Sequence, residues 1–387
     1  MANLFSIPKN IVTGAEALQK SMAYIEGYGK KALIVTDEAM VKYGNVGKLT
    51  AALDGIGKKY AVYPAINTEP THAMIDEGVA LYAEEGCDFL IAIGGGSPID
   101  SVKAIGAVVA NGGSITEYAG KKIELLLPRL VAIPTTAGTG SEATKVSIIT
   151  NTDTDVKMLL SDPKLMVDLA VVDPVFTLTV PPAVTAATGL DALTHAVEAY
   201  TSVKAFPMTD IFAVSAVKKI FANIQAVYTD GSDVAARGEM ANAALEAGIA
   251  FSNSSVTIVH GMSRPIGALF HVPHGQSNAV LLSVCLPYLK PGAVERLNDR
   301  AHTAGIAEPG MAPDEGAEAF VAATLDIVKS LHVPSLQQLG IQEEDFFKAI
   351  PKMTEDALAS GSPGNTRRSP SKEEIESLYR ELWASGA

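Results

Sequence analysis

The sequence predicts an α/β domain with a parallel sheet over residues 1–180, followed by an all-helical domain over residues 181–387. Three observations carry this. Short aliphatic runs alternate with helix-like stretches up to about residue 180, the pattern of strands joined by crossover helices. Pro181-Pro182 then break the chain. Beyond them strand-like runs nearly vanish and alanine-rich helical stretches take over. A chain of 387 residues is also about two domains long.

Lys31-Ala-Leu-Ile-Val-Thr-Asp37 reads as a buried strand that ends in an acid, and Phe89-Leu-Ile-Ala-Ile-Gly94 as a strand that runs into glycines. Leu130-Val-Ala-Ile-Pro134 and Ala170-Val-Val-Asp173 supply two more, with helical periodicity from Thr71 to Glu85 and from Asp100 to Ala110. In the second domain the periodic stretches run from Ala183 to Tyr200, Met208 to Ile224, Ala235 to Phe251, Thr257 to Phe270 and Glu315 to Leu331. Ser360 to Pro370 is a loop rich in Gly, Ser and Pro, and Lys372 to Trp383 a closing helix.

Charged residues are 19% of the chain and the formal net charge is −13. That describes a compact globular protein and argues against nucleic acid or an anionic membrane as the main partner. The only cysteines are Cys87 and Cys285, too few for a disulfide framework or a cysteine zinc site, which fits a reducing cytoplasm. Met1 to Pro8 lacks a basic segment followed by a long apolar one, so no secretory signal is expected. No apolar run reaches the length of a membrane span.

The chemistry gathers at Thr188-Gly-Leu-Asp-Ala-Leu-Thr-His-Ala-Val-Glu198. On a helix, Asp191 and His195 stand one turn apart on one face, a spacing that lets both grip one ion. His260 lies in an apolar helical stretch and His274 follows Pro273. One oxygen and three imidazole nitrogens suit a divalent first-row metal with a position left open, and suit calcium or magnesium poorly. Each histidine alone reads as a core residue; the set reads as a metal site. Glu198, three residues after His195, reads as an acid that supports a ligand or packs the helix.

Two glycine-rich loops follow strands. Gly94-Gly-Gly-Ser-Pro-Ile-Asp100 drops into a helix, where backbone amides and the helix N-terminus suit a pyrophosphate. It departs from the usual Gly-x-Gly-x-x-Gly at Ile99, and a tight structural turn is the plain alternative. Thr135-Thr-Ala-Gly-Thr-Gly-Ser-Glu142 offers hydroxyls as well as glycines and reads as a second wall of the same nucleotide site. Asp37 at a strand end suits a ribose diol and disfavours a 2′-phosphate, pointing to NAD over NADP; a turn aspartate is the alternative. Lys157 either reaches a ribose or phosphate or is simply solvated. The helical metal domain is expected to face these loops across a cleft.

Val35-Thr-Asp37, Gly94 to Asp100, Pro134 to Glu142, Ala187 to Glu198, Val259-His-Gly-Met262 and Pro273-His-Gly275 together resemble, in order and over nearly the whole chain, the iron-containing (group III) alcohol dehydrogenases. The resemblance implies the dehydroquinate synthase-like fold of that family, with iron(II) or zinc held by Asp191, His195, His260 and His274. It implies NAD contacts at Asp37, Gly95, Gly96, Ser97, Thr135, Thr136, Thr139 and Lys157, and Asp100 at the end of the first loop is a further cofactor-binding candidate. It further implies a homodimer or larger homo-oligomer that interconverts a small primary alcohol and its aldehyde.

Two catalytic candidates depart from the family pattern. Arg264 stands one turn after His260, where many members carry histidine; arginine stays protonated, so it suits an anionic group on the substrate, such as a carboxylate or sulfonate, or else balances local charge. His271 stands where asparagine or aspartate is usual, and is read as a proton donor, as part of the substrate-pocket lining, or as a loop cap. Glu69 stands where an asparagine often precedes Pro-Thr. The rival readings are a glycerol dehydrogenase or dehydroquinate synthase-like enzyme, and a non-catalytic protein that binds metal or nucleotide.

Overall fold

A computed structural model of the chain describes residues 2–154 and 156–386. It divides into two compact units, Leu4–Val180 and a second that begins at Pro181. The first unit runs β1 (Asn10–Thr13), α1 (Ala17–Ile25), β2 (Lys31–Val35), α2 (Glu38–Lys42), α3 (Asn45–Gly55), β3 (Lys59–Tyr63), α4 (His72–Glu84), β4 (Phe89–Gly94) and α5 (Gly96–Asn111). It continues through β5 (Arg129–Pro134), β6 (Val146–Asn151), β7 (Val156–Ser161) and β8 (Leu169–Val172).

Six of these strands form one sheet in the order β1-β8-β5-β4-β2-β3, and every pairing is parallel. Alternate residues feed two cores. Leu33, Val35, Leu90 and Ala92 pack with Val102 and Ile105 of α5, while Ala32, Ile34, Phe89 and Ile91 pack with Leu18 of α1 and Leu49 of α3. Helices cover both faces, which is why these strands read as unbroken apolar runs. The strands expected from sequence are β2, β4, β5 and β8, the four inner ones; β1 and β3 are the edges. From β2 the chain goes outward to β3 and then returns to place β4 on the other side. In a sheet of this kind the carboxyl ends that flank such a reversal are where ligands bind. The polar stretch around Lys157 is part of an antiparallel hairpin, β6–β7.

In the second unit the named elements are all helices: α6 (Pro182–Thr201), α7 (Pro207–Thr229), α8 (Val234–Asn253), α9 (Ile258–Phe270), α10 (His274–Leu289), α11 (Val294–Thr303), α12 (Pro313–Ser330), α13 (Glu343–Ala359) and α14 (Lys372–Ser385), with short single turns between some of them. Helix α6 is the axis of this unit. Every residue from Gly189 to Thr201 is buried, and α7, α8 and α10 pack around it. Small residues permit that crowding: a Cβ on Gly189 would lie 2.9 Å from Ile224 Cδ1 of α7. One expectation needs correcting, because α7 is by length and composition apolar enough to cross a membrane. Here Ala213, Ala216, Val217, Ile220, Ile224 and Val227 are its buried face, and it lies against α6 and α8 as a core helix does.

Candidate active site

The i, i+4 spacing on α6 sets Asp191 and His195 on one face, with Asp191 Oδ2 3.8 Å from His195 Nδ1. Helix α9 brings His260, whose Nε2 is 3.6 Å from Asp191 Oδ1. Helix α10 starts at His274, whose Nε2 is 3.7 Å from the same oxygen. That last approach needs a glycine: a Cβ on Gly275 would sit 2.4 Å from the carbonyl oxygen of Ala187 on α6. The four side chains each present a donor atom, and these atoms all lie within 4.8 Å of one another. The ring of His195 is held between Phe251 and His260, with centroids 4.2 and 4.4 Å away.

The cluster is short of positive charge. Buried His195 Nδ1 has no hydrogen-bond partner. The amide nitrogen of Asn278, one turn along α10 from His274, is 2.7 Å from Asp191 Oδ1, 3.1 Å from His260 Nε2 and 3.3 Å from His274 Nε2, while its own carbonyl oxygen is buried without a partner. Three acceptors converging on one polar hydrogen source, beside an orphaned imidazole nitrogen, is what a site built for a cation looks like. Its mixed oxygen and nitrogen set suits a divalent first-row ion.

Burial brings His195 down to about 3, so its ring is neutral and its lone pair is free for a metal. Burial would raise Asp191, but the three histidines outweigh it and keep the carboxylate ionised. Glu198 has the supporting role its spacing suggested. Its Oε2 is 2.5 Å from His260 Nδ1, and its Oε1 accepts from the Val259 amide at 2.7 Å and the Thr257 hydroxyl at 2.8 Å. An N–H donated from Nδ1 leaves the Nε2 lone pair directed at the cluster.

Arg264 follows His260 by one turn and its Nη1 donates to Ser362 Oγ at 3.2 Å. His271 is different. It is exposed and, with φ of 55°, takes the left-handed conformation that ends α9, so the structure gives it the loop-capping place and not one among the clustered histidines. Asn278 was missed from sequence although it repeats, from His274, the spacing that singled out Asp191 and His195.

In the α/β unit the two glycine loops come together. A Cβ on Gly96 would be 2.9 Å from Thr139 Cγ2, one on Gly95 3.7 Å from Thr136 Oγ1, and one on Gly94 3.3 Å from Asp37 Oδ2. The absent methyl groups let Asp37, Thr136 and Thr139 close in on the glycines at the N-terminus of α5, where Ser97 lies. Thr135 is buried, and its amide donates to the Gly94 carbonyl at 2.9 Å. Asp37 Oδ1 caps α2 through the Met40 amide at 2.9 Å, which leaves Oδ2 toward Gly94.

Asp100 and Lys157 are engaged within the protein. Asp100 accepts from the Ser141 hydroxyl and, at 3.0 Å, from the Ile148 amide, so it binds loop to hairpin. Lys157 pairs with Glu69 at 2.6 Å. Sequence reasoning also missed Lys103, fully buried, whose ammonium donates to the carbonyls of Ser141, Thr144 and Val146 at 2.7 to 2.9 Å and so pins the second loop.

A buried oxygen-and-imidazole cluster in a helical unit, in a chain whose other unit is a doubly wound α/β sheet, defines the class as two-unit metal proteins with a nucleotide-type cradle. Comparison with known proteins narrows it. Residues 8–174 match the family model described as iron-containing alcohol dehydrogenase, and residues 185–383 match the C-terminal model of the same family. The 1,3-propanediol dehydrogenase of Klebsiella pneumoniae is 38% identical over 361 residues, covering 92% of this chain and 92% of its own. A solved structure of 1,3-propanediol oxidoreductase superposes with a TM-score of 0.94 at 35% identity, covering 99% of this chain and 100% of that one. Sulfoacetaldehyde reductase from Bifidobacterium kashiwanohense, in complex with NAD+, gives a TM-score of 0.88 at 26% identity with 99% of each chain covered. The chain belongs to the iron-containing alcohol dehydrogenase family.

Proposed function

We propose that the protein is an NAD-dependent, divalent-metal-dependent oxidoreductase that interconverts a small primary alcohol and its aldehyde. The observation that carries this reading is the convergence of Asp191, His195, His260 and His274 on one buried point, with an amide donor drawn in among them. These four residues would hold iron(II) or zinc. A bound ion supplies Lewis acidity for the reacting oxygen, and a bound nicotinamide nucleotide supplies or accepts the hydride.

The chain's own groups do the rest. Glu198 fixes the tautomer and direction of His260 through its contact with Nδ1. Phe251 and the small residues of α6 keep water from His195. In the α/β unit the amides at the start of α5, with the hydroxyls of Thr136 and Thr139, suit the pyrophosphate of NAD. The free oxygen of Asp37 suits a ribose diol and repels a 2′-phosphate. Burial raises the Asp37 carboxyl, and the Met40 amide opposes that rise. The names of the relatives supply the alcohol and aldehyde substrates of the reading. Two buried free thiols, Cys87 and Cys285, suit a reducing compartment such as the cytoplasm.

The test is an NADH-linked screen of short aldehydes on protein loaded anaerobically with ferrous ion, with a zinc-loaded arm. The expected result is net NADH oxidation that ends on chelation and returns with metal. Turnover that is indifferent to metal, or a product formed with no net change in NADH, would remove the reading.

A further inference from the structure

Arg264 is a cation without a counter-ion. It stands one turn after His260 on α9, and among the described residues no carboxylate lies within ion-pair distance of it. Its hydrogen-bond partner is neutral, the Ser362 hydroxyl at 3.2 Å. The contact is built in by shape: a Cβ on Gly261 would be 2.7 Å from both Cγ and Cδ of Pro363, so only a glycine lets the turn Pro363–Asn365 lie against α9 and set Ser362 over Arg264. Burial pulls the guanidinium below its ordinary value, and the charge of Glu198 opposes that fall. Glu198, however, is occupied by His260, Thr257 and the Val259 amide.

The charge count leads the same way. Asp191 and Glu198 together offset one divalent ion, which leaves Arg264 as the surplus. A half-buried surplus cation is costly unless something pairs with it. A guanidinium has five donors in a planar fork matched to a carboxylate or sulfonate, and Ser362 takes only one of them.

We infer that Arg264, assisted by Ser362, is an anion-recognising subsite, and that the preferred substrate is a short aldehyde or primary alcohol bearing a carboxylate or sulfonate. Arg264 is thereby the specificity-determining residue. This rests on the oxidoreductase reading above and adds to it the charge of the substrate. One helical turn, about 5.4 Å, separates the level of His260 from that of Arg264. That span suits an anion a few carbons from the reacting one. A proton-relay role for Arg264 is excluded, because arginine does not give up its proton at working pH.

The experiment uses the full chain loaded with ferrous ion and compares 4-oxobutanoate with butanal, and 2-oxoethanesulfonate with propanal, as NADH-linked substrates. The wild type is expected to favour the anionic member of at least one pair by about tenfold or more in kcat/KM, carried by KM. In Arg264→Met the anionic-to-neutral ratio falls by about ten- to a hundredfold, the range for a lost charge-assisted hydrogen bond. Arg264→Lys recovers part of the ratio, and Ser362→Ala lowers it by less than Arg264→Met. Calorimetric titration of 2-hydroxyethanesulfonate into the NADH-loaded holoenzyme gives a second readout, with binding expected in the wild type and lost in Arg264→Met.

A wild-type ratio at or below one in both pairs overturns the proposal, even if Arg264→Met fails to fold. So does a ratio that Arg264→Met leaves unchanged. Absence of turnover with all four aldehydes overturns the redox reading instead, and calorimetry then decides the anion subsite by itself.

Discussion

In the helical unit, Asp191, His195, His260 and His274 direct ionisable side chains into the interior, and His195 Nδ1 finds no partner there. In the α/β unit the loops after β4 and β5 offer mainly amides and hydroxyls, and several charged groups nearby are already engaged. Asp37 caps α2, Asp100 ties Ser141 to Ile148, Lys157 meets Glu69, and Lys103 holds three carbonyls of the second loop. The first region wants a cation to be complete. The second is a finished scaffold whose free groups are mainly backbone amides and hydroxyls. Cation removal should therefore disturb the helical unit selectively, and nucleotide binding should survive loss of the metal.

The largest expected effect tests that contrast directly. Asp191→Ala or His195→Ala should cut aldehyde turnover by roughly a thousandfold or more, since the Lewis acid contributes several kcal/mol to the barrier. Metal content measured on the purified variants should fall in parallel, while NADH affinity by fluorescence titration should stay near the wild-type value. Loss of NADH binding in step with metal would break the contrast. A middle-sized effect sharpens it: Glu198→Gln keeps the shape but weakens the acceptor for His260 Nδ1, and metal affinity should fall by about ten- to a hundredfold. Unchanged metal affinity would mean that Thr257 and Val259, not Glu198, orient the ring.

The same contrast explains what could be read from the sequence. Side-chain chemistry at regular spacing was legible: Asp191 and His195 announce a shared face, and His260 and His274 complete a donor set that few cores would contain. The four inner strands were legible because burial on both faces makes them uniformly apolar, whereas the edge strands β1 and β3, partly exposed, were not. Helices α10 and α13 carry internal prolines, Pro287 and Pro351, but so does α9 at Pro265, which was read, so proline alone does not hide a helix here. Asp100, Lys103 and Lys157 were illegible for a different reason. Whether a charged residue near a glycine loop touches a ligand or ties down the loop depends on partners 38 to 88 residues away, and local pattern carries no trace of them.

The last effect is on stability rather than on turnover or metal affinity, and lies under the second loop, where Glu142 is 2% exposed. Burial pushes its carboxyl up to about 7, against the pull of its own backbone amide and of Lys103. Lys103 itself is lowered by burial to about 8, opposed by Asp100 and Glu142, so it is still protonated at neutral pH. For Glu142 the folded value lies above the ordinary 4.5, so the folded state holds a proton that the unfolded state has released. Its contribution is fully present below about 4.5, declines as pH rises toward 7, and is flat above that, a change of about 3 kcal/mol. Most carboxylates in ion pairs give the opposite slope. Glu142→Gln removes the titrating group and keeps the size, so the variant should match the wild type in thermal stability near pH 5 and exceed it at pH 7.5. The Lys103 window, above pH 8, stays outside this comparison. If the two proteins keep the same difference at both pH values, Glu142 is ionised throughout and paired with Lys103, and the second loop is held by a salt bridge instead of by carbonyls alone.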